Sequence, residues 1–191
     1  GAGISISRTS GAPGSSVTIT GSGFGSGETG ITVTYDGTPV TSGISASPQG
    51  AWSMPFAIPA SASGAHSIGA YGSITQAAAV GQAAFNVTAA ISLSRTTGAP
   101  GSSVTITGSG FGSSETGITI TYDGTPVTSG ISASPQGAWS TAFTVPTSAS
   151  GPHSIKAYGF ATAQGSVPDI MFFVGAGISI SRTSGAPGSS V

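Results

Sequence analysis

Apolar and polar residues alternate along this chain in short runs that Gly and Pro keep interrupting. From Gly3 to Ser10 the reading GISISRTS sets Ile4 and Ile6 on one face and Ser5, Ser7 and Thr9 on the other, a short first strand. Val17 and Ile19 alternate with Thr18 and Thr20, and then Ile31, Val33 and Tyr35 with Thr32 and Thr34. A strand around Val40 to Ala46 follows. Trp52, Met54, Phe56 and Ile58 form the inward set of a fifth strand, in which Pro55 fits only at an edge or a bulge because it has no N–H to give a ladder. His66, Ile68 and Ala70 share one face of a sixth strand with Tyr71 opposite, and Ala83, Phe85 and Val87 one face of a seventh.

The intervals carry turn chemistry. Gly11-Ala12-Pro13-Gly14, Gly21-Ser22-Gly23 and Ser47-Pro48-Gln49-Gly50 punctuate the runs, Phe24 folds back as a plug, and Asp36-Gly37 is a dipeptide that tight hairpins favour. About seven short strands with turns at roughly eight- to twelve-residue spacing and no helical period predict an all-β protein built of β-sandwiches.

The pattern recurs. Ile4, Ile91 and Ile178 mark the same phase at a constant step of 87 (91 − 4 and 178 − 91), which defines units at 1–87 and 88–174 and the opening of a third at 175–191. Over Ile4 to Ser53 the second copy differs at four of fifty positions, Leu93, Thr97, Ser114 and Ile120, and over Met54 to Val87 it differs at eighteen of thirty-four. The third copy sides with the first: Gly175, Gly177, Ile180 and Ser184 match Gly1, Gly3, Ile6 and Ser10, not Thr88, Ala90, Leu93 and Thr97. The larger repeat is therefore a pair of 174 residues, with a type-one unit followed by a type-two unit.

Composition narrows the function. Charged residues are 5% of the chain, where a globular protein carries about 25%, so Ser and Thr supply the polar surface. Arg8, Arg95, Arg182 and Lys156 are the strong bases, too few to hold a phosphate backbone, which excludes nucleic acid as a partner. A net charge of −1 leaves little self-repulsion and favours association between copies. With no Cys there is neither a disulfide nor a thiolate metal site, and no apolar run is long enough to span a membrane. The chain reads as a fragment of a longer protein.

The blocks GSSVTITGSGFGSGETGITVTYDGT, PQGAWSMPFAIP, SGAHSIGAYG and AAFNV together resemble the bacterial and archaeal extracellular immunoglobulin-like repeats, including the IPT/TIG-like type, over nearly the whole of each unit. The resemblance implies immunoglobulin-like sandwiches in tandem, an extracellular or cell-surface setting, no catalytic residues, and a role as spacers in adhesins, envelope proteins or filaments.

Candidate chemistry is sparse. His66 and His153, with Asp36 and Asp123 and the many serines, are the residue types of a nucleophile triad, but each His is in phase with Ile68 or Ile155 and each Asp lies in an Asp-Gly turn, so hydrogen-bonded strand histidines are expected and no enzyme. Trp52 and Trp139 have the parity of Phe56 and Phe143, which points to core packing and away from sugar stacking, while Tyr71 and Tyr158 fall on the outer parity. Glu28 and Glu115 offer one carboxylate per Gly/Ser loop, far short of a calcium shell. Neither a metal nor a cofactor is expected. Lys156 alone cannot supply a Lys–Asn cross-link in each unit, and Asn86-Val87-Thr88 is a glycosylation sequon in the first unit only.

The expected function is structural: a repeat of an extracellular filament, sheath or surface layer whose partners are copies of itself. A stalk or glycan-binding array of a cell-surface adhesin, with surface glycans as partners, is the alternative, and an accessory region of a secreted enzyme a third. Linkers of three residues, Thr88 to Ala90 and Gly175 to Gly177, reach about 10 Å and force consecutive units to abut, with the Gly-Ala-Gly joint the looser. Phe160, Met171 and Phe173 replace Ser73, Ala84 and Asn86 on the outer parity and are expected to form an assembly contact. The segment 175–191 is read either as a donated strand or, preferably, as the start of the next pair in a continuous chain.

Overall fold

The computed structural model describes residues 1–175, so all but the first residue of the third-copy segment lies outside the described residues, and with it the choice between donated strand and continuation. Strands β1 Gly3–Ile6, β2 Ser10–Gly11, β3 Ser16–Ser22, β4 Ile31–Tyr35, β5 Thr38–Ile44, β6 Trp52–Ala57, β7 Gly64–Tyr71 and β8 Ala83–Val87 form the first sandwich. Its counterpart uses β9 Ala90–Leu93, β10 Thr97–Gly98, β11 Ser103–Ser109, β12 Ile118–Tyr122, β13 Thr125–Ile131, β14 Trp139–Thr144, β15 Gly151–Tyr158 and β16 Ile170–Val174.

Each sandwich sets a three-stranded sheet, β1-β3-β6 or β9-β11-β14, against a five-stranded one, β2-β8-β7-β4-β5 or β10-β16-β15-β12-β13. The alternation is realised most directly in β3, where Val17, Ile19 and Gly21 are buried and their neighbours exposed. Phe85 and Val87 of β8 and Phe172 and Val174 of β16 point into their cores, as period two requires of a strand with one covered face. Pro55 sits on β6, an edge strand of its sheet, opposite Thr18. Asp36 and Gly37 both have positive φ, 49° and 77°, the conformation of a type I′ turn, and Tyr35 pairs with Thr38 across it.

Two elements differ from the sequence reading. The first run, Gly3 to Ser10, is not one strand: β1 pairs antiparallel with β3, whereas β2 pairs parallel with β8 in the other sheet. The chain changes sheets at Ser7, whose Oγ accepts the N–H of Thr18 at 2.9 Å while its own N–H donates to Thr18 O at 2.9 Å, so a side chain finishes the ladder the backbone leaves. The strand expected around Val40 to Ala46 runs instead from Thr38 to Ile44, because the two-residue turn lets pairing with β4 begin at once, and the register shifts between Val33 and Thr34. Short 3-10 turns at Ala77–Ala79 and Gln164–Ser166 are the helical elements of the described residues.

Glycine is required where Trp meets the sheet. A Cβ on Gly21 would fall inside the Trp52 indole, and one on Gly108 inside Trp139. The indoles lie edge-on to Phe24 and Phe111 at 5.5 and 5.3 Å between ring centroids, so the plugs and the tryptophans close the same end of each core.

Candidate functional site

The polar residues singled out by the sequence converge in pairs, twice over. The Asp36-Gly37 turn delivers the Asp36 carboxylate to the neighbouring strand β7: Oδ1 accepts the Ser67 N–H at 2.9 Å and Oδ2 lies 2.7 Å from His66 Nδ1. His66 Nε2 lies 2.8 Å from Ala62 O, and the ring stacks on Tyr35 at 5.2 Å. In the second unit Asp123, His153 and Ala149 repeat this at 2.6 and 2.9 Å, with Tyr122 beneath. Carboxylate and carbonyl both only accept, so the two nitrogens of His153 are placed as donors. The bond to Asp123, and then that to the Ala149 carbonyl, raise the His153 pKa above the ordinary value, and the same contact to His153 holds Asp123 below its own. Both nitrogens are occupied by structural partners, and neither is bonded to a serine hydroxyl. The pair forms a strut between the hairpin turn and the loop before β7, with no nucleophile attached.

Glu28 and Glu115 are where the sequence reading falls short. Expected as loop carboxylates, both are buried. Glu28 accepts four hydrogen bonds: Ile74 N–H and Thr75 N–H on Oε1 at 2.7 Å each, Gly25 N–H on Oε2 at 2.8 Å and the Thr75 hydroxyl on Oε2 at 2.6 Å. Burial pushes this carboxyl up, but the Thr75 hydroxyl and the three backbone N–H groups outweigh it and hold the pKa at about 2. Glu115 repeats the arrangement with Gly112, Ala161 and Thr162. Every oxygen lone pair facing the loops is spent on the protein's own donors. Among the described residues no three His, Asp or Glu side chains gather as a metal would need.

Trp52 and Trp139 are buried and closed to any ligand, as core residues. Tyr71 and Tyr158 are half-exposed on the outer face of the five-stranded sheets. Phe160, Met171 and Phe173 are exposed, at 87%, 43% and 50%, but they do not form one patch. Phe173 lies opposite Pro152 and Met171 opposite Ser154, near the start of β15, whereas Phe160 follows Tyr158, the last residue of that strand. Six residues at the usual rise put about 20 Å between the two groups. Phe160 covers Gly117 at the other end of the unit, where a side chain would collide with its ring.

The remaining feature is the junction. The Ser63 N–H donates to Phe111 O at 3.0 Å, and a Cβ on Gly110 would meet the linker carbonyl Thr88 O at 2.6 Å and Pro13 Cδ at 3.0 Å. Ala89, in the linker, is buried in the second core. Beside these contacts lies a cavity of about 260 Å³ lined by Ser63, Asn86 and Val87 of the first unit and Ala161, Thr162 and Ser166 of the second. Asn86, the sequon residue, is paired on both sides within its sheet and opens its side chain on this cavity. A wider cleft of about 430 Å³ runs past Asp36, Val40 and His66 to Ser113, Pro135 and Gln136.

Paired sheets, an edge strand that changes sheets, buried Trp and Phe plugs and polar groups spent on internal struts define an immunoglobulin-like structural module in tandem. A sequence model of the IPT/TIG domain matches residues 4–73 and again 89–166, and the chain belongs to that family. Domains of this kind are typically non-catalytic. No curated protein matches the chain. Among solved structures it is similar to the fibronectin(III)-like modules of Clostridium thermocellum CbhA, at 14% identity over 90% of this chain and 93% of that one, with a TM-score of 0.30. It is also similar to Bacteroides ovatus SGBP-B of a mixed-linkage glucan utilization locus, solved with a mixed-linkage heptasaccharide, at 14% identity over 86% of this chain and 42% of that one, TM-score 0.40. A third is the BSP domain of a biofilm associated protein, at 13% identity over 92% and 30%, TM-score 0.31.

Proposed function

We propose that this chain is a structural repeat of an extracellular self-assembling filament, sheath or surface layer, with units at 1–87 and 88–174 and copies of itself as partners. The observation that supports this reading most is the junction: a three-residue linker, a backbone hydrogen bond from Ser63 to Phe111 and a linker Ala buried in the next core restrain one module on another. A spacer needs such restraint, and an enzyme built on the same modules needs a convergent site that the internal struts do not supply. Phe160, Met171 and Phe173 belong to this reading as contact residues between units or chains, and Asn86 as a glycan acceptor, read by intact mass before and after glycan removal.

Electron microscopy of the purified native material tests the proposal. Regular helical filaments or sheets support it, and isolated flexible rods overturn it. Rods with a terminal binding domain assign the chain to the second reading, an adhesin stalk or glycan-binding array. The cleft along Val40 and His66, where Val40 and Pro59 face Asp36 and Gln136, is the observation that favours that reading.

A further inference from the structure

The junction between the two units supplies a template for a junction of the opposite order. Residues 87 positions apart occupy the same place in the two sandwiches: Asn86 pairs with Ala65 and Ser10, and Phe173 with Pro152 and Thr97. The contacts that fix the first junction recur in type: Ser63, Pro13, Gly110 and Phe111 correspond to Ser150, Pro100, Gly23 and Phe24. When a type-one unit follows a type-two unit, as the repeat of Gly1 to Val17 at Gly175 to Val191 begins to do in the sequence, the same frame brings the same surfaces together.

What changes is the lining. The cavity of the first junction holds Asn86 on one wall and Ala161 and Ser166 on the other. Shifted by one unit, these positions are Phe173, Ile74 and Ala79. Phe173 and Ile74 are two of the five large apolar side chains that the described residues leave exposed, Ile74 at 66%. Phe for Asn and Ile for Ala add six heavy atoms, on the order of 180 Å³ at about 30 Å³ each, within the roughly 260 Å³ that the first junction leaves open, while the rim positions Thr88 and Ser166 become Gly175 and Ala79 and lose four atoms, which gives the two larger side chains room to turn inward. Ile74 is also fixed in place: its N–H donates to the buried Glu28 carboxylate at 2.7 Å, so the exposed side chain stands on a loop that does not need ordering on contact.

We propose that the end of the type-two unit docks the N-terminal end of the type-one unit of a second copy joined in tandem, and that Phe173 seats against Ile74 to fill the cavity that Asn86 and Ala161 leave open. The two junctions of the repeat are then unlike: the first polar and hollow behind a Thr-Ala-Ala linker, the second apolar and filled behind a Gly-Ala-Gly linker. The side chains thereby restrain the junction whose backbone is the freer. Burial on docking accounts for exposed Phe and Ile at equivalent rims without invoking any foreign ligand. The inference rests on the reading of the chain as part of an array, and is indifferent to whether that array is a filament or a stalk.

The test uses one polypeptide holding two full 174-residue pairs and ending, as this chain does, at Val191 of the second. Phe173→Asn in the first pair and Ile74→Ala in the second restore the residues of the hollow junction. Both positions are exposed, so the units stay folded, which circular dichroism verifies. Each single variant is expected to broaden the inter-unit angle at the middle junction and to raise the unfolding constant of the flanking units by about tenfold, with the double variant adding nothing. Thr105→Ser, on the exposed face of β11 and away from either end of the unit, leaves the angle unchanged. Additive effects, or an angle distribution untouched by either change, overturn the proposal. Filament formation is scored separately on the same samples, so loss of polymer with an intact filled junction counts against the array as a filament and leaves the docking in place.

Discussion

Glu28 and Thr75, 47 positions apart, are joined by two hydrogen bonds, from the Thr75 N–H at 2.7 Å and from its hydroxyl at 2.6 Å, in a site that excludes water. Glu115 and Thr162 repeat the relationship in the second unit. The carboxylate thereby ties the loop before β4 to the loop after β7, and in the second unit the equivalent loop after β15 lines the junction cavity.

Glu28→Gln keeps the shape but puts an NH₂ where Oε1 or Oε2 accepts two donors. The expected result is a fall of several degrees in the midpoint of thermal unfolding, with the loop at 72–75 exchanging its amide hydrogens faster than in the parent. Hydrogen exchange read by mass spectrometry checks it.

The low pKa of Glu28 sets an acid limit. A carboxyl held at about 2, against an unperturbed 4.5, contributes stability that is fully present above the unfolded value and is lost as pH falls through the folded one. Thermal midpoints recorded from pH 5 down to pH 2 are expected to drop more in the parent chain than in Glu28→Gln, which has no proton to gain at this position.

His153 and Asp123 bound a second window. The histidine, raised above 6.5, contributes stability that is complete below that value and is lost as pH rises through its folded pKa; the aspartate, lowered from 3.8, contributes above that value and loses it in acid. The strut is therefore at full strength near pH 5 and weakens toward pH 9. His153→Gln is expected to flatten the fall in midpoint of the second unit over pH 5 to 9.

Gly21→Ala and Gly108→Ala each put a methyl into an indole ring. Overpacking of this kind costs about 1–3 kcal/mol, and denaturant titration reads it as a lower midpoint with an unchanged slope. The same exchange at Gly3, which has open space around it, is expected to be nearly silent.

Met171→Ser and Phe160→Ser alter exposed residues at opposite ends of the type-two unit. Each is expected to change unfolding by no more than about 0.5 kcal/mol. A loss of assembly on light scattering from one variant and not the other identifies which end carries a lateral contact.

The sequence by itself determined the repeat, the inward faces and the turns, because each is a local property. Alternation along β3 follows from the two-residue period of an extended backbone, and Asp36-Gly37 from the steric tolerance of those two residues for positive φ. Only the tertiary structure decided the rest. That Ser7 ends one ladder so that Ser10 can begin another in the opposite sheet depends on Thr18 lying alongside, and that Glu28 is buried depends on donors 46 and 47 residues away. Phe160 and Phe173 each fall on the outer face of their own run in the sequence pattern yet lie at opposite ends of one unit, while Asn86 and Ala161, in different units, line one cavity. Strand register and the abutment of two modules set these distances, and neither is written in the spacing of residues along the chain.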